Sequence, residues 1–253
     1  MSGSSAFEPV YAIGDIHGRM DALRDTHRLI AQDGGTDAHI IHLGDLIDRG
    51  PDSPAVIDHL MNGMGQGRSW QVVKGNHDNK LPRFLEDPGW IDPGTRSGFT
   101  WTGDERNGAG ATLLSYGVAD AEIRPLEDVH EEALKKIPRE HAVWLDGLAP
   151  YFLHPGGFLF VHAGIVPGVD LSAQSPVDLM WIRKPFLESG ADHGVLVVHG
   201  HTAIRKPTHY GNRLNIDSGA GYGRPATAVR LDSEGAWHLT ENGPVQLRPE
   251  APQ

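Results

Sequence analysis

The 253-residue chain contains no cysteine. That excludes disulfides, a thiol nucleophile and thiolate metal sites, so any metal must be held by oxygen and nitrogen. It also suits a cytoplasmic setting. No apolar run approaches the roughly 18 residues that span a bilayer, and the opening MSGSSAFEP lacks the basic start and apolar stretch of a signal peptide. Positive charge is scarce as well: 22 Lys and Arg stand against 33 Asp and Glu, for a net charge of −11. A nucleic-acid binder needs a basic face to replace phosphate counterions. Neither nucleic acid nor membrane is therefore an expected partner. Phosphate chemistry stays open, because bound cations can reverse the local sign. Histidine, by contrast, is plentiful, with 15 residues.

Short apolar runs at 10–15 (VYAIGD), 39–45 (HIIHLGD) and 70–77 (WQVVKGNH) each end in Gly with Asp or Asn. Helix-like stretches lie between them, from Asp21 to Gln32 and from Ser53 to Met64. The period of about 30 residues is that of a β-α-β-α-β unit with right-handed crossovers. Parallel neighbours would set all three strand ends at one sheet edge, where open α/β sheets carry their ligand sites. Residues 88–111, rich in Gly and aromatics, read as a long lid-like loop, in which Trp90, Phe99 and Trp101 fit either core cover or substrate contact. Helical stretches follow at about 111–117, 127–136 and 139–148. The runs YFLHP, GFLFVHAG, VLVVHGHT, RLNID, TAVRL and AWHLT then predict a second, mostly antiparallel sheet. The expected fold is α/β: two sheets face to face with helices outside. The domain reading is a flexible lead at 1–9, a catalytic domain at 10–243 and a tail at 244–253. The pattern sets no oligomeric state.

Five strand-ending motifs stand in order: GDIHG (14–18), GDLIDRG (44–50), GNHD (75–78), VHAG (161–164) and GHT (200–202). Each alone is an ordinary turn or strand end; together they bring Asp15, His17, Asp45, Asn76, His162 and His201 into one set. Mixed oxygen and nitrogen donors suit Mn, Fe or Zn better than Mg or Ca. A carboxylate in the middle of such a set can bridge two cations, the clamp used for phosphoryl displacement.

This order resembles the phosphoprotein-phosphatase family of calcineurin-like metallophosphoesterases, over residues 11 to about 228. The resemblance implies a single-domain, four-layer α/β/β/α sandwich of two mixed sheets. It implies two divalent metal ions, manganese first, with iron or zinc as alternatives. Asp15, His17 and Asp45 would hold one ion, and Asp45, Asn76, His162 and His201 the other, with direct attack by a bridging hydroxide. His77 would be the general acid and Asp48 the carboxylate that orients it and raises its pKa. Arg49 would clamp phosphate, as would Arg183 in DLMWIRKPFL, with Asn76 also at the phosphate. His199 is read as strand-facing and His42 as structural; Asp217 and Tyr222 are candidates for the border of the site, with strand and turn roles preferred.

Ala203 stands where many nucleases and phosphodiesterases of this type carry a second histidine, which argues against those activities. GNHD is shared with bacterial symmetrical diadenosine tetraphosphatases, but those commonly lack the acid that Asp48 supplies. The resulting expectation is a bacterial protein phosphatase acting on phosphoserine and phosphothreonine, with phosphotyrosine as an extension of that range. The alternative is a symmetrical diadenosine tetraphosphate hydrolase, and a more distant one an inactive phosphopeptide-binding module. The partner is a phosphorylated protein or a small phosphoester.

Overall fold

The computed structural model describes residues 8–95 and 97–250. Most of the 1–9 lead and the last three residues of the tail lie outside them. In the first half, β1 (Val10–Ile13), α1 (Met20–Gly34), β2 (His39–His42), α2 (Ser53–Gly65) and β3 (Trp70–Val72) alternate as the spacing predicts. The three strands pair in parallel, with Ile13 level with His42 and His42 level with Val72. Four helices follow: α3 (Lys80–Glu86), α4 (Ala109–Ser115), α5 (Leu126–Lys136) and α6 (Arg139–Asp146). The second half holds β4 (Tyr151–His154), β5 (Phe158–Val161), α7 (Pro176–Trp181), α8 (Lys184–Leu187), β6 (Leu196–His199), β7 (Thr208–His209) and β8 (Arg213–Asn215). The chain closes with β9 (Ala228–Asp232), β10 (Gly235–Thr240) and β11 (Gly243–Leu247).

The strands form two mixed sheets, ordered β11-β10-β9-β1-β2-β3 and β4-β5-β6-β8-β7. Side-chain alternation explains the layering. On β1, Val10 and Ala12 face the second sheet, while Tyr11 and Ile13 face the helices. On β5, Phe158 and Phe160 fill the space between the sheets, and Leu159 and Val161 pack on the far side with Leu179 and Phe186 of α7 and α8. Strands covered on both faces read as continuous apolar runs.

Three expectations change. TAVRL and AWHLT are β9 and β10, and they join the first sheet, where β9 runs antiparallel to β1. Period-two alternation shows that a strand is buried but not which sheet it extends. The second sheet is not mostly antiparallel, since β5, β6 and β8 pair in parallel. Residues 244–247, placed in a tail, belong to β11, paired along its length with β10. Pro244 is tolerated there because β11 is an edge strand.

Candidate active site

All the motif residues lie just beyond the carboxyl ends of parallel strands. Asp15 and His17 follow β1, Asp45 follows β2, and Asn76 and His77 follow β3; His162 follows β5 and His201 follows β6. Two mixed sheets packed face to face thus deliver both donor sets to one edge. The turns that do so are strained. Six described non-glycine residues adopt positive φ, and five of them are His17, Asp45, Asp48, Arg49 and His201. Glycine makes room for the approach: a Cβ on Gly75 would lie 2.2 Å from the Asp45 nitrogen, and one on Gly200 would lie 2.0 Å from Asp15 Oδ1.

Donor atoms of His17, Asp45 and His77 lie within 4.8 Å of one another, as do those of Asp45, His162 and His201. Asp45 is common to both groups. Asp15 falls in neither; its carboxylate accepts the His201 N–H at 3.2 Å and faces Asp217, His162 and Asp45. Asn76 Oδ1 is 3.0 Å from His162 Nε2 and 2.8 Å from His201 Nδ1.

Several observations fit this set to divalent cations. His17 Nδ1–H donates to the Ile47 carbonyl at 2.9 Å and His162 Nδ1–H to the Leu43 carbonyl at 2.7 Å. Each ring therefore presents Nε2 to the cluster, as metal-ligating imidazoles do. His201 Nε2 is buried with no hydrogen-bond partner. Burial raises Asp15 well above the usual carboxylate range, reinforced by Asp217 and Asp45. Burial also pushes Asp45 upward, but His162 and His77 outweigh it and hold Asp45 well below that range. Crowded buried carboxylates of this kind need positive charge beside them.

A second group shares His77 with the cluster. His77 Nδ1–H donates to Asp48 Oδ2 at 2.6 Å. Trp101 Nε1–H donates to the same oxygen at 2.9 Å, and Thr112 Oγ1–H donates to Asp48 Oδ1 at 2.9 Å. The segment read as a lid thus supplies, through buried Trp101, a donor that fixes Asp48, while Phe99 remains exposed. The expected rise in the His77 pKa is not found. Burial, together with Lys80 and Arg49, drives His77 well below its ordinary value, and burial lifts Asp48 to about 6. Arg49 reaches His17 Nε2 at 2.8 Å and His77 Nε2 at 3.2 Å, and its guanidinium lies 5.0 Å from the Tyr222 ring centroid. Arg183 is exposed at the rim, its guanidinium 3.4 Å from Thr202 Oγ1.

Other residues carry more than their sequence context showed. Asp217 is buried, lines the cavity and stands two residues past β8, as Asp15 stands two past β1. That position was the signal available for it. Tyr222, given a turn role, is exposed at the cavity under Arg49. Asp78 accepts the backbone N–H groups of Asp45 and Gly75 at 2.9 Å and of Leu46 at 2.8 Å, tying the turns after β2 and β3 together. His199 is buried on the far side, 3.3 Å from Arg213, as expected of a strand-facing histidine.

The fold and the clustered donors define a metallophosphoesterase. The chain belongs to the calcineurin-like phosphoesterase family, whose sequence profile matches residues 8–244. Among its relatives is bis(5'-nucleosyl)-tetraphosphatase PrpE [asymmetrical] of Bacillus subtilis (strain 168), 26% identical over 244 residues, covering 87% of this chain and 89% of that protein. Solved structures share the fold. One is a proposed diadenosine tetraphosphatase, with TM-score 0.61 and 19% identity, covering 92% of this chain and 95% of that one. Another is a cold-active protein-tyrosine phosphatase of a psychrophilic Shewanella, with TM-score 0.61 and 16% identity, covering 96% and 81%. Family members hydrolyse phosphoesters with a pair of metal ions. Among the described residues no helix is long and apolar enough to cross a membrane.

Proposed function

We propose that the chain hydrolyses a phosphoanhydride bond of a dinucleoside polyphosphate, cutting off-centre to release unequal nucleotides. The observation that carries this reading is the cavity. It is an open cleft of about 1070 Å³ whose lining carries Arg49, Lys80, Arg106, Arg183, Lys184 and Arg224 against Asp45, Asp104, Asp178 and Asp217, with Arg106 paired to Asp104; once cations offset Asp45 and Asp217, the excess charge is positive. One phosphomonoester needs far fewer cations, whereas a polyphosphate carries a charge on every phosphoryl group. The tetraphosphatase relatives, matched over most of both chains, support the same substrate class.

In this reading His17, Asp45 and Asp15 hold one divalent ion, and Asp45, Asn76, His162 and His201 the other. Bound there, the ions would polarise the phosphoryl group and acidify a water. Arg49 and Arg183 grip the phosphoryl oxygens with guanidinium forks. Asp48 holds the His77 ring through Nδ1–H, leaving Nε2 toward the cavity. An entering anion pairs with Arg49 and raises the proton affinity of Nε2. With the anion bound, Nε2 takes a proton from solvent; the water oxygen then bonds to phosphorus and releases a proton to solvent, the bond to the leaving oxygen breaks, and Nε2 gives its proton to that oxygen.

One observation favours a second reading, a protein phosphatase. The His77–Asp48 pair is complete, and a serine alkoxide needs protonation far more than a nucleotide phosphate does. Metal-reconstituted protein assayed with diadenosine tetraphosphate and with phosphoserine, phosphothreonine and phosphotyrosine peptides separates the two. The proposal expects the dinucleotide to have the highest kcat/KM and to yield AMP and ATP. Two ADP would replace off-centre with central cleavage; peptides turned over faster than the dinucleotide would sink the proposal.

A further inference from the structure

Lys80 belongs neither to the donor cluster nor to the acid pair, yet its side chain lies in the site. It is 2% exposed and lines the same cavity as His77 and Arg49. Its backbone N–H donates to the His77 carbonyl at 3.0 Å, so both side chains leave one turn of the chain. Nζ donates to Asn107 Oδ1 at 2.7 Å and stands 5.2 Å from the Trp181 ring centroid. Asn107 is itself anchored, its Nδ2 donating to the Trp101 carbonyl at 3.0 Å. The carboxylates around Lys80 are Asp48, Asp45 and Asp92, and they act on it through space rather than by hydrogen bonds. Asp48 is already committed to His77, Trp101 and Thr112.

An ammonium has three donors. A buried one with a single neutral acceptor is costly unless an anion meets it. The cavity it lines is the one through which an anionic substrate reaches His77. His77 serves the leaving oxygen, and Lys80 lies next to the His77–Asp48 pair, so the anion it meets is on the leaving-group side. Building on the dinucleotide reading, we propose that Lys80 binds the phosphate adjacent to the one being cut. It thereby selects leaving groups that are themselves phosphorylated.

The test compares wild type, Lys80→Met and Lys80→Arg, each metal-reconstituted, on diadenosine tetraphosphate and on p-nitrophenyl phosphate, whose leaving group carries no phosphate. Losing a hydrogen bond to a charged group should lower kcat/KM for the dinucleotide by about 50-fold in Lys80→Met. The loss should exceed that on p-nitrophenyl phosphate by about tenfold or more, and Lys80→Arg should recover much of it. The inhibition constant of ADP should rise in Lys80→Met far more than that of inorganic phosphate, a binding readout that a merely structural role would not move. Equal losses on both substrates, or unchanged ADP inhibition, would overturn the inference alone and make Lys80 a counter-charge for Asp48 and Asp92. If wild type fails to turn over the dinucleotide, the functional reading falls and this inference with it.

Discussion

At the scale of single residues, the most informative contact is the 2.6 Å hydrogen bond from His77 to Asp48. It ties His77, which lies within the donor cluster, to Asp48, which does not. Asp48→Asn and His77→Asn should therefore lower kcat on an unactivated alkyl phosphate by about 100-fold or more, the scale of lost acid catalysis. Metal content should stay near that of wild type for Asp48→Asn. Near wild-type kcat in either variant would remove His77 from the acid role. Asp45 makes the opposite prediction. It is the carboxylate common to both donor groups, so Asp45→Asn should deplete both ions. Elemental analysis that still found two metals per chain would refute the bridge. Trp101 adds a subtler case: Trp101→Phe keeps the packed ring but removes one of the donors that hold Asp48, so activity should fall while the fold persists.

At the scale of elements, the site depends on turns being held in register with one another. Asp78 does this for the turns after β2 and β3 by accepting three backbone N–H groups. Asp78→Ala would leave three buried donors unpaired, at about 1–3 kcal/mol each. We expect a loss of several kcal/mol in urea unfolding; a shift below about 1 kcal/mol would mean that water takes over the role. This element level also shows what the sequence could reveal. The motif residues were legible because each follows an apolar strand within one to five residues, and parallel strands must end on one edge. Asp217 obeyed the same rule but sat in a motif with no histidine. Trp101, Thr112 and Lys80 were hidden for a different reason. Their positions follow from tertiary packing of α3, α4 and the preceding loop against Asp48, and no local period encodes that. The sheet membership of β9 and β10 was hidden likewise, because alternation reports burial and not the identity of the neighbouring strand.

At the scale of the whole molecule, the abundance of histidine has a consequence away from the site. His27, His42 and His59 form a chain: His42 Nδ1–H donates to the Gln71 carbonyl at 3.0 Å, His27 Nε2 lies 2.9 Å from His42 Nε2, and His27 Nδ1 lies 3.0 Å from His59 Nε2. The carbonyl fixes the tautomer of His42, and that choice passes along the chain, so neutral rings satisfy every contact. Burial lowers His42 to about 4 and His27 to about 2; on the far side of the molecule burial and Arg213 lower His199 to about 3. In the unfolded chain each would titrate near 6.5. As pH falls below that value the unfolded state binds protons that the folded state refuses, so stability decreases. The contribution is complete above about pH 6.5 and is lost progressively toward pH 4. Buried carboxyls whose pKa is raised, such as Asp48 and Asp78, act in the opposite direction, so the histidine contribution is read as the difference in urea midpoint between wild type and His42→Gln, in chelator at pH 7.5, 6.0 and 5.0, and that difference should change as pH falls. His42→Gln removes one proton-binding difference and the chain's fixed end together. A difference between wild type and His42→Gln that stays constant from pH 7.5 to 5.0 would show that His42 is charged in the fold, against the hydrogen bonds that tie it to Gln71 and to His27.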